Sequence, residues 1–459
     1  MQSLLARIGL HRPELRAWAL YDWANSVFMT TVLQVFPIYF TSVVAADLPP
    51  ALASERFAWA TTMAMLIVAV VSPALGAVAD QGGARKKMMA ASVALGVAAT
   101  AALYFVGRGD WRLGAALFIL GNVGVNASFV FYESLLPHIA SEGEIDRVST
   151  AGYAMGYLSG GLLLAVNALW IQHPAWFGIP DAATAIRLSF LSAAVWWAAF
   201  SIPLFRRVPE PRTGTEGARA GARVIAAAFA RLAGTLRDLR GYRQAFLLLL
   251  AFLLYNDGVQ TIIRMGTAYG TELGISSGAL IAAIIMIQFV GVPFAILFGA
   301  LAGRLGVKRT LFIPVAVYVV VAVLGYRMKT AADFFVLAFL VATVQGGSQA
   351  LSRSLFATMI PRPRSGEFFG FWGVFDKFGG VIGPFVFATM IASTGSSRPA
   401  ILALIVFFVV GGGLLAFVNV DEGRRHAREA EAALGAATRA PDRIRSPCPS
   451  PPVAPRWRS

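Results

Sequence analysis

The sequence predicts an all-α integral membrane protein whose twelve transmembrane helices form two related six-helix bundles. Three observations carry this. The chain is 57% hydrophobic and only 14% charged, against about 25% charged residues in a soluble globular domain. Its apolar residues gather in blocks near the roughly 20 residues a helix needs to cross a bilayer. A loop motif after the second block recurs, in register, after the eighth.

The blocks run over 17–44, 57–79, 87–107, 112–137, 150–171, 186–205, 244–265, 278–302, 309–327, 332–360, 367–392 and 399–420. The first is too long for a signal-peptide core of 7–15 residues and reads as a retained helix. The tenth is interrupted by Gln345, Gln349 and Arg353.

Twelve crossings put both ends of the chain on one side. Of the 39 Lys and Arg residues, 29 lie in the terminal segments or in connections after even-numbered blocks, and eight in the opposite connections. This bias places both termini in the cytoplasm of a multi-pass protein of the cell membrane. It also accounts for the net charge of +15, so nucleic acid is not an expected partner: no zinc-finger spacing or RNA-binding signature accompanies the charge. Cys448 is the sole cysteine, which rules out an intramolecular disulfide, and the four histidines are scattered outside the apolar blocks. No metal site and no cofactor are expected.

Four regions follow. Residues 1–205 form an N-terminal bundle and 244–420 a C-terminal one. Between them, 206–243 is a cytoplasmic linker in which Ile225, Phe229, Leu232, Leu236 and Leu239 recur at helical spacing, the pattern of an amphipathic surface helix. Residues 421–459, rich in Arg, Ala and Pro, read as a disordered cytoplasmic tail.

The repeated loop is Gly76-Ala-Val-Ala-Asp80-Gln-Gly-Gly83-Ala-Arg85-Lys86, matched at an offset of 223 by Gly299-Ala-Leu-Ala-Gly303-Arg-Leu-Gly306-Val-Lys308-Arg309. Its glycines permit a tight turn and close helix approach, and its basic pair holds the loop in the cytoplasm. Two such loops at equivalent places resemble the major facilitator superfamily. That resemblance implies two six-helix bundles around a central cavity, alternating access, and a cavity lined by spans 1, 4, 7 and 10. A narrower match lies in Trp18-Ala-Leu-Tyr21-Asp22-Trp23-Ala24-Asn25-Ser26-Val-Phe28 of span 1 and Leu254-Tyr255-Asn256-Asp257-Gly258-Val-Gln260-Thr261 of span 7. These strings resemble the vacuole-effluxer, or autophagy-related permease, branch. The resemblance implies a permease, with amino-acid efflux as a candidate activity.

An ionisable group inside a membrane costs about 2.5–3.5 kcal/mol or more, so each needs a cavity, a partner or a role. The intramembrane candidates are Asp22, Glu133, Asp257, Arg353 and the neighbours Asp376 and Lys377. Asp22 and Glu133 each stand about six residues, roughly 9 Å, from the cytoplasmic end of their spans. The expected solute-binding set is Asp22, Asn25, Tyr255, Asn256, Asp257 and Gln260. The expected gating and coupling set is Asp22, Glu133 and Arg353, with Asp80 and Arg85 of the repeated loop. A membrane carboxylate can take up and release a proton, so Asp22, Glu133 and Asp257 are candidates to carry a coupling ion. The rival for all of them is structural pairing between helices. Gly152, Gly156 and Gly160 share one face of span 5 and permit close packing.

The expected activity is secondary transport of a small solute by a monomer. No G-x-x-x-x-G-K-[ST] loop is present, so ATP is not an internal energy source, and an enzyme is not expected. Two other readings stay open: a sensor or scaffold that keeps the transporter fold, and a membrane enzyme acting on lipid-linked substrates.

Overall fold

Apolar length decides the architecture, and turns and caps set where each helix stops. The computed structural model describes residues 2–82, 85–211, 241–378, 382–394 and 397–439. After a short helix at Gln2–Arg7, the N-terminal half comprises α1 (Pro13–Val44), α2 (Pro50–Gly82), α3 (Arg85–Ala102), α4 (Trp111–Ile139), α5 (Ile145–Gln172) and α6 (Ala182–Arg207). The C-terminal half comprises α7 (Arg243–Glu272), α8 (Ser277–Leu305), α9 (Val307–Arg327), α10 (Ala331–Thr358), α11 in the two pieces Ser365–Phe378 and Ile382–Thr394, and α12 (Ser397–Phe417). A further helix, α13 (Val420–Arg439), follows. Among the described residues, ten helices are long and apolar enough to cross a membrane by length and composition.

Local chemistry explains the ends. Asp181 caps α6 by accepting from the Thr184 N–H at 2.6 Å, a bond that holds its exposed carboxyl below the usual carboxylate range. α10 begins with a reciprocal box in which Thr330 and Asp333 each accept the other's backbone N–H. That start, together with the largely apolar run over 334–344, carries α10 straight through Gln345, Gln349 and Arg353. α1 is not regular throughout: π-helical turns at Phe28–Val32 and Phe40–Val44 flank Pro37, whose ring cannot donate to the helix ladder.

The basic residues of the repeated loop do more than hold it on one side of the bilayer. Lys86 Nζ donates to the Val208 carbonyl at 2.6 Å, just beyond the end of α6. Lys308 Nζ donates to the Ala416 and Val418 carbonyls at 2.7 and 2.8 Å, at the end of α12. In each half a lysine beside the loop thus closes the last helix of that half, satisfying orphan carbonyls and the negative end of the helix dipole.

The halves meet along two main seams, α2 against α11 and α5 against α8, with α4 and α5 also touching α10. The first glycine of each repeated loop lies in one of them. A Cβ at Gly76 would stand 2.1 Å from the Gly366 carbonyl oxygen, and one at Gly299 would stand 2.2 Å from Thr150 Oγ1. Only glycine admits such approaches, so the repeat encodes the seam as well as the turn.

The tail expected to be disordered from Asp421 is instead helical through Arg439. Asn419 caps it, accepting from the Glu422 N–H at 3.1 Å, and Asp421 and Glu422 occupy its first turn, where the helix dipole favours acids. The prolines that argued for disorder begin only at Pro441. α13 lies across the end of the molecule that carries both termini. Its Arg428 reaches Glu142 at 2.7 Å and its Glu431 accepts the Arg362 N–H at 2.7 Å. The amphipathic stretch expected in the linker lies outside the described residues, as do residues 440–459.

Candidate functional site

A cavity of about 1270 Å³ runs between the halves. Its walls descend from Ile38, Phe57, Tyr269 and Met328, near the end remote from the termini, to Asp22, Glu133, Gln349 and Asp376 at its floor. It is therefore open at one end of the helices and shut at the other.

What shuts it is centred on Arg353, wholly buried on α10. Arg353 Nε donates to Ser149 Oγ at 3.0 Å and Nη2 to the Ser149 carbonyl at 3.1 Å, across the seam on α5. Nη2 also meets Asp22 Oδ2 on α1 at 3.5 Å. The guanidinium packs against the faces of Tyr153 and Trp18, its Cζ 4.6 and 4.9 Å from their ring centres. Tyr132 Oη donates to the same Asp22 oxygen at 2.8 Å. A buried guanidinium is tolerated only with such a full set of acceptors, a counter-charge and aromatic faces. Neighbouring bonds continue the closure: Ser149 Oγ donates to the Ala350 carbonyl at 2.8 Å and Ser354 Oγ to Asp146 at 2.5 Å. The glycine row of α5 makes room for this. A Cβ at Gly152 would stand 2.4 Å from Asp22 Oδ2, and one at Gly156 2.5 Å from Ser26 Oγ.

A second tie lies nearer the terminus-bearing surface. Arg85 of the repeated loop is wholly buried. It donates to His138 Nε2 at 2.6 Å and, across to the C-terminal half, to the Pro363 carbonyl at 3.4 Å. Ser365 Oγ, 3.1 Å from His138 Nε2, donates to the Ser134 carbonyl at 3.0 Å. The backbone of Asp80 is helical, but its side chain lies outside the described residues, as does that of Lys377.

Of the expected solute-binding residues, Asp22, Asn25 and Gln260 line the cavity, and Asn256 sits directly behind it. Tyr255 and Asp257 do not line it. Consecutive helix residues point about 100° apart, so 255, 256 and 257 cannot share a face. Tyr255 bonds to Ser352 on α10. Asp257 Oδ2 accepts from the Gly383 N–H at 2.9 Å, inside the C-terminal half. We expect Asp257→Ala to lower thermal stability by about 1–3 kcal/mol by stranding that N–H, with solute affinity unchanged; thermal unfolding and solute titration of the variant check this. Tyr21 and Trp23 are packing residues: Tyr21 donates to Ser128 at 2.7 Å, and Trp23 stacks on Trp196.

Glu133 faces the cavity beside the Asp22 and Arg353 pair. Sequence reasoning did not single out Ser149, Tyr132, Tyr153 or His138. A serine or tyrosine in a membrane helix is too common to stand out, and its partner emerges only on folding. Gln345, Gln349 and Arg353 recur every four residues, and that period could have placed all three on one face of α10.

The comparisons agree with this architecture. The family model described as "Vacuole effluxer Atg22 like" matches residues 57–428. The MFS-type transporter YxiO of Bacillus subtilis (strain 168) is 37% identical over 405 residues, covering 88% of this chain and 94% of its own length. Among solved structures, the human organic anion transporter MFSD10 (TETRAN) superposes with a TM-score of 0.68 at 15% identity, covering 88% of this chain and 99% of its own. The transporter FucP in the outward conformation does so with a TM-score of 0.65 at 13% identity, covering 89% and 98%. Identities this low show a shared fold.

Proposed function

Because the chain belongs to the Atg22-like vacuole effluxer family, within the major facilitator superfamily of secondary transporters, we propose that it exports a small solute of the amino-acid class by alternating access. The carrying observation is a cavity shared by two halves, open at one end and shut at the other by the Arg353 tie to Ser149 and Asp22. A through-pore would be open at both ends. The excess of Lys and Arg in the connections of the shut end supports assigning the cytoplasm to that side. The described conformation is then outward-open. Asp22 and Glu133, both at the cavity floor, are the groups proposed to exchange a coupling proton.

The test is counterflow in proteoliposomes preloaded with unlabelled amino acids. Radiolabelled phenylalanine or leucine should accumulate transiently, and an imposed pH gradient should drive net movement. Accumulation indifferent to the gradient removes the proton from the proposal. Binding of solute without any counterflow would instead favour a sensor that keeps the transporter fold.

A further inference from the structure

The cavity floor holds a hydrogen-bond chain whose polarity is fixed by its last member. Asp376 on α11 offers a carboxylate and accepts from Asn256 Nδ2 at 3.2 Å. The Asn256 amide must then turn its Oδ1 toward α10, where it accepts from Gln349 Nε2 at 2.6 Å. Gln349 is left with its Oε1, an acceptor, and with the second N–H of its amide. Asn256 is wholly buried, while Gln349 and Asp376 line the cavity. The chain thus leaves two acceptors at the cavity, Gln349 Oε1 and the Asp376 carboxylate. Asp22 and Glu133 add carboxylates on the opposite wall, and no Lys, Arg or His is among the described lining residues.

An independent observation on the cavity wall points to a ligand group. Asn25 is wholly buried on the cavity wall, and neither end of its amide has a hydrogen-bond partner among the described residues. Burying an amide unpaired is unfavourable, and native structures rarely leave one so. Asn25 lies three residues from Asp22, and Gln349 four residues from Arg353, both toward the open end. Asp22 and Arg353 meet at 3.5 Å, so steps of about 4.5 and 6 Å along α1 and α10 put Asn25 and Gln349 both on the open side of that pair.

We propose that this part of the cavity is a cation subsite that binds the ammonium group of a primary-amine solute against Gln349 Oε1 and Asp376. Asn25 takes a second polar group of the solute, and Phe129, Phe369 and Trp372, which also line the cavity, hold its apolar body. Asn256 is a positioning residue: it touches no solute and fixes which end of the Gln349 amide faces it. The inference rests on the transporter reading above and names the charge its site selects.

Three probes share one apolar body: phenethylamine, phenylalanine and 3-phenylpropanoate. Calorimetric titration of the purified full chain should detect the two amines and not the acid. Bonds to a charged group are among the stronger ones, so Asp376→Asn should weaken phenethylamine binding about tenfold or more. Asn256→Leu should lower the preference for phenethylamine over 3-phenylpropanoate, a ratio that a general loss of stability does not move. Equal binding of amine and acid, binding of neither amine, or an unchanged affinity in Asp376→Asn overturns the subsite. Counterflow separates this from the parent reading. Transport that persists with the acid as effective as the amine sinks the subsite alone, whereas selective amine binding without counterflow sinks the transporter reading and leaves the subsite standing.

Discussion

Arg353→Leu should abolish counterflow and leave the terminus-bearing end of the protein accessible to water. The substitution strands Asp22, a carboxylate wholly inside the helix bundle, and frees Ser149 from two of its three bonds across the seam, leaving only its bond to the Ala350 carbonyl. Breaking a buried charge pair costs about 3–5 kcal/mol, because the remaining charge keeps its desolvation penalty. At 1.4 kcal/mol per factor of ten, the closed seam loses at least about a hundredfold in population. Arg353→Lys should not restore it. A single ammonium cannot reproduce the forked donation by Nε and Nη2, and it packs less well between Tyr153 and Trp18. The double variant Asp22→Asn with Arg353→Leu removes the stranded charge and should regain part of the closure without regaining transport. Maleimide labelling of a cysteine at Ala357, buried near the shut end of α10, measures closure in a Cys448→Ser background. Counterflow measures function.

Gly76→Ala should have the next largest effect. Its new methyl group would stand 2.1 Å from the Gly366 carbonyl oxygen, and backbone cannot move aside as a flexible side chain can. Overpacking of this kind costs about 1–3 kcal/mol, and here the cost falls only on the conformation in which α2 meets α11. The expected result is counterflow reduced about tenfold and labelling at Ala357 increased, with α2 itself intact. Gly299→Ala, against Thr150 on the other seam, should act in the same direction. Gly303→Ala is the control. Its nearest neighbour would be Arg147 Nη2 at 3.6 Å, an ordinary contact, so transport should be little changed.

Much of this molecule was legible in the sequence because bilayer physics is insistent. Block length and a repeat in register predict helix number and a two-part architecture with no tertiary information, and the bias of Lys and Arg proposes a sidedness. The intramembrane charges could be found for the same reason, and Asp22 and Arg353 fall within one expected gating set with Glu133; that Asp22 is the carboxylate that meets Arg353 emerges only on folding. What resisted was azimuth. Tyr255, Asn256 and Asp257 share a motif, yet helical rotation sends one behind the cavity wall, one toward α10 and one toward Gly383. Nothing in the span itself says which. Hydroxyl partners such as Ser149 and Ser365 were hidden because their role depends on a residue some 200 positions away. The tail misled through averaging: a proline-rich end gave its composition to a helix-forming start whose cap, acidic first turn and alanines were present throughout.

The account turns on the two ends of the cavity opening in alternation. Pulsed-dipolar distances test this most directly, with spin labels at Glu142 and Arg362 across the shut end and at Ala175 and Lys329 across the open one, all in a Cys448→Ser background. Adding saturating phenylalanine should lengthen the first distance and shorten the second in the same fraction of molecules. Distances that stay fixed while counterflow proceeds, or that lengthen together, would contradict it.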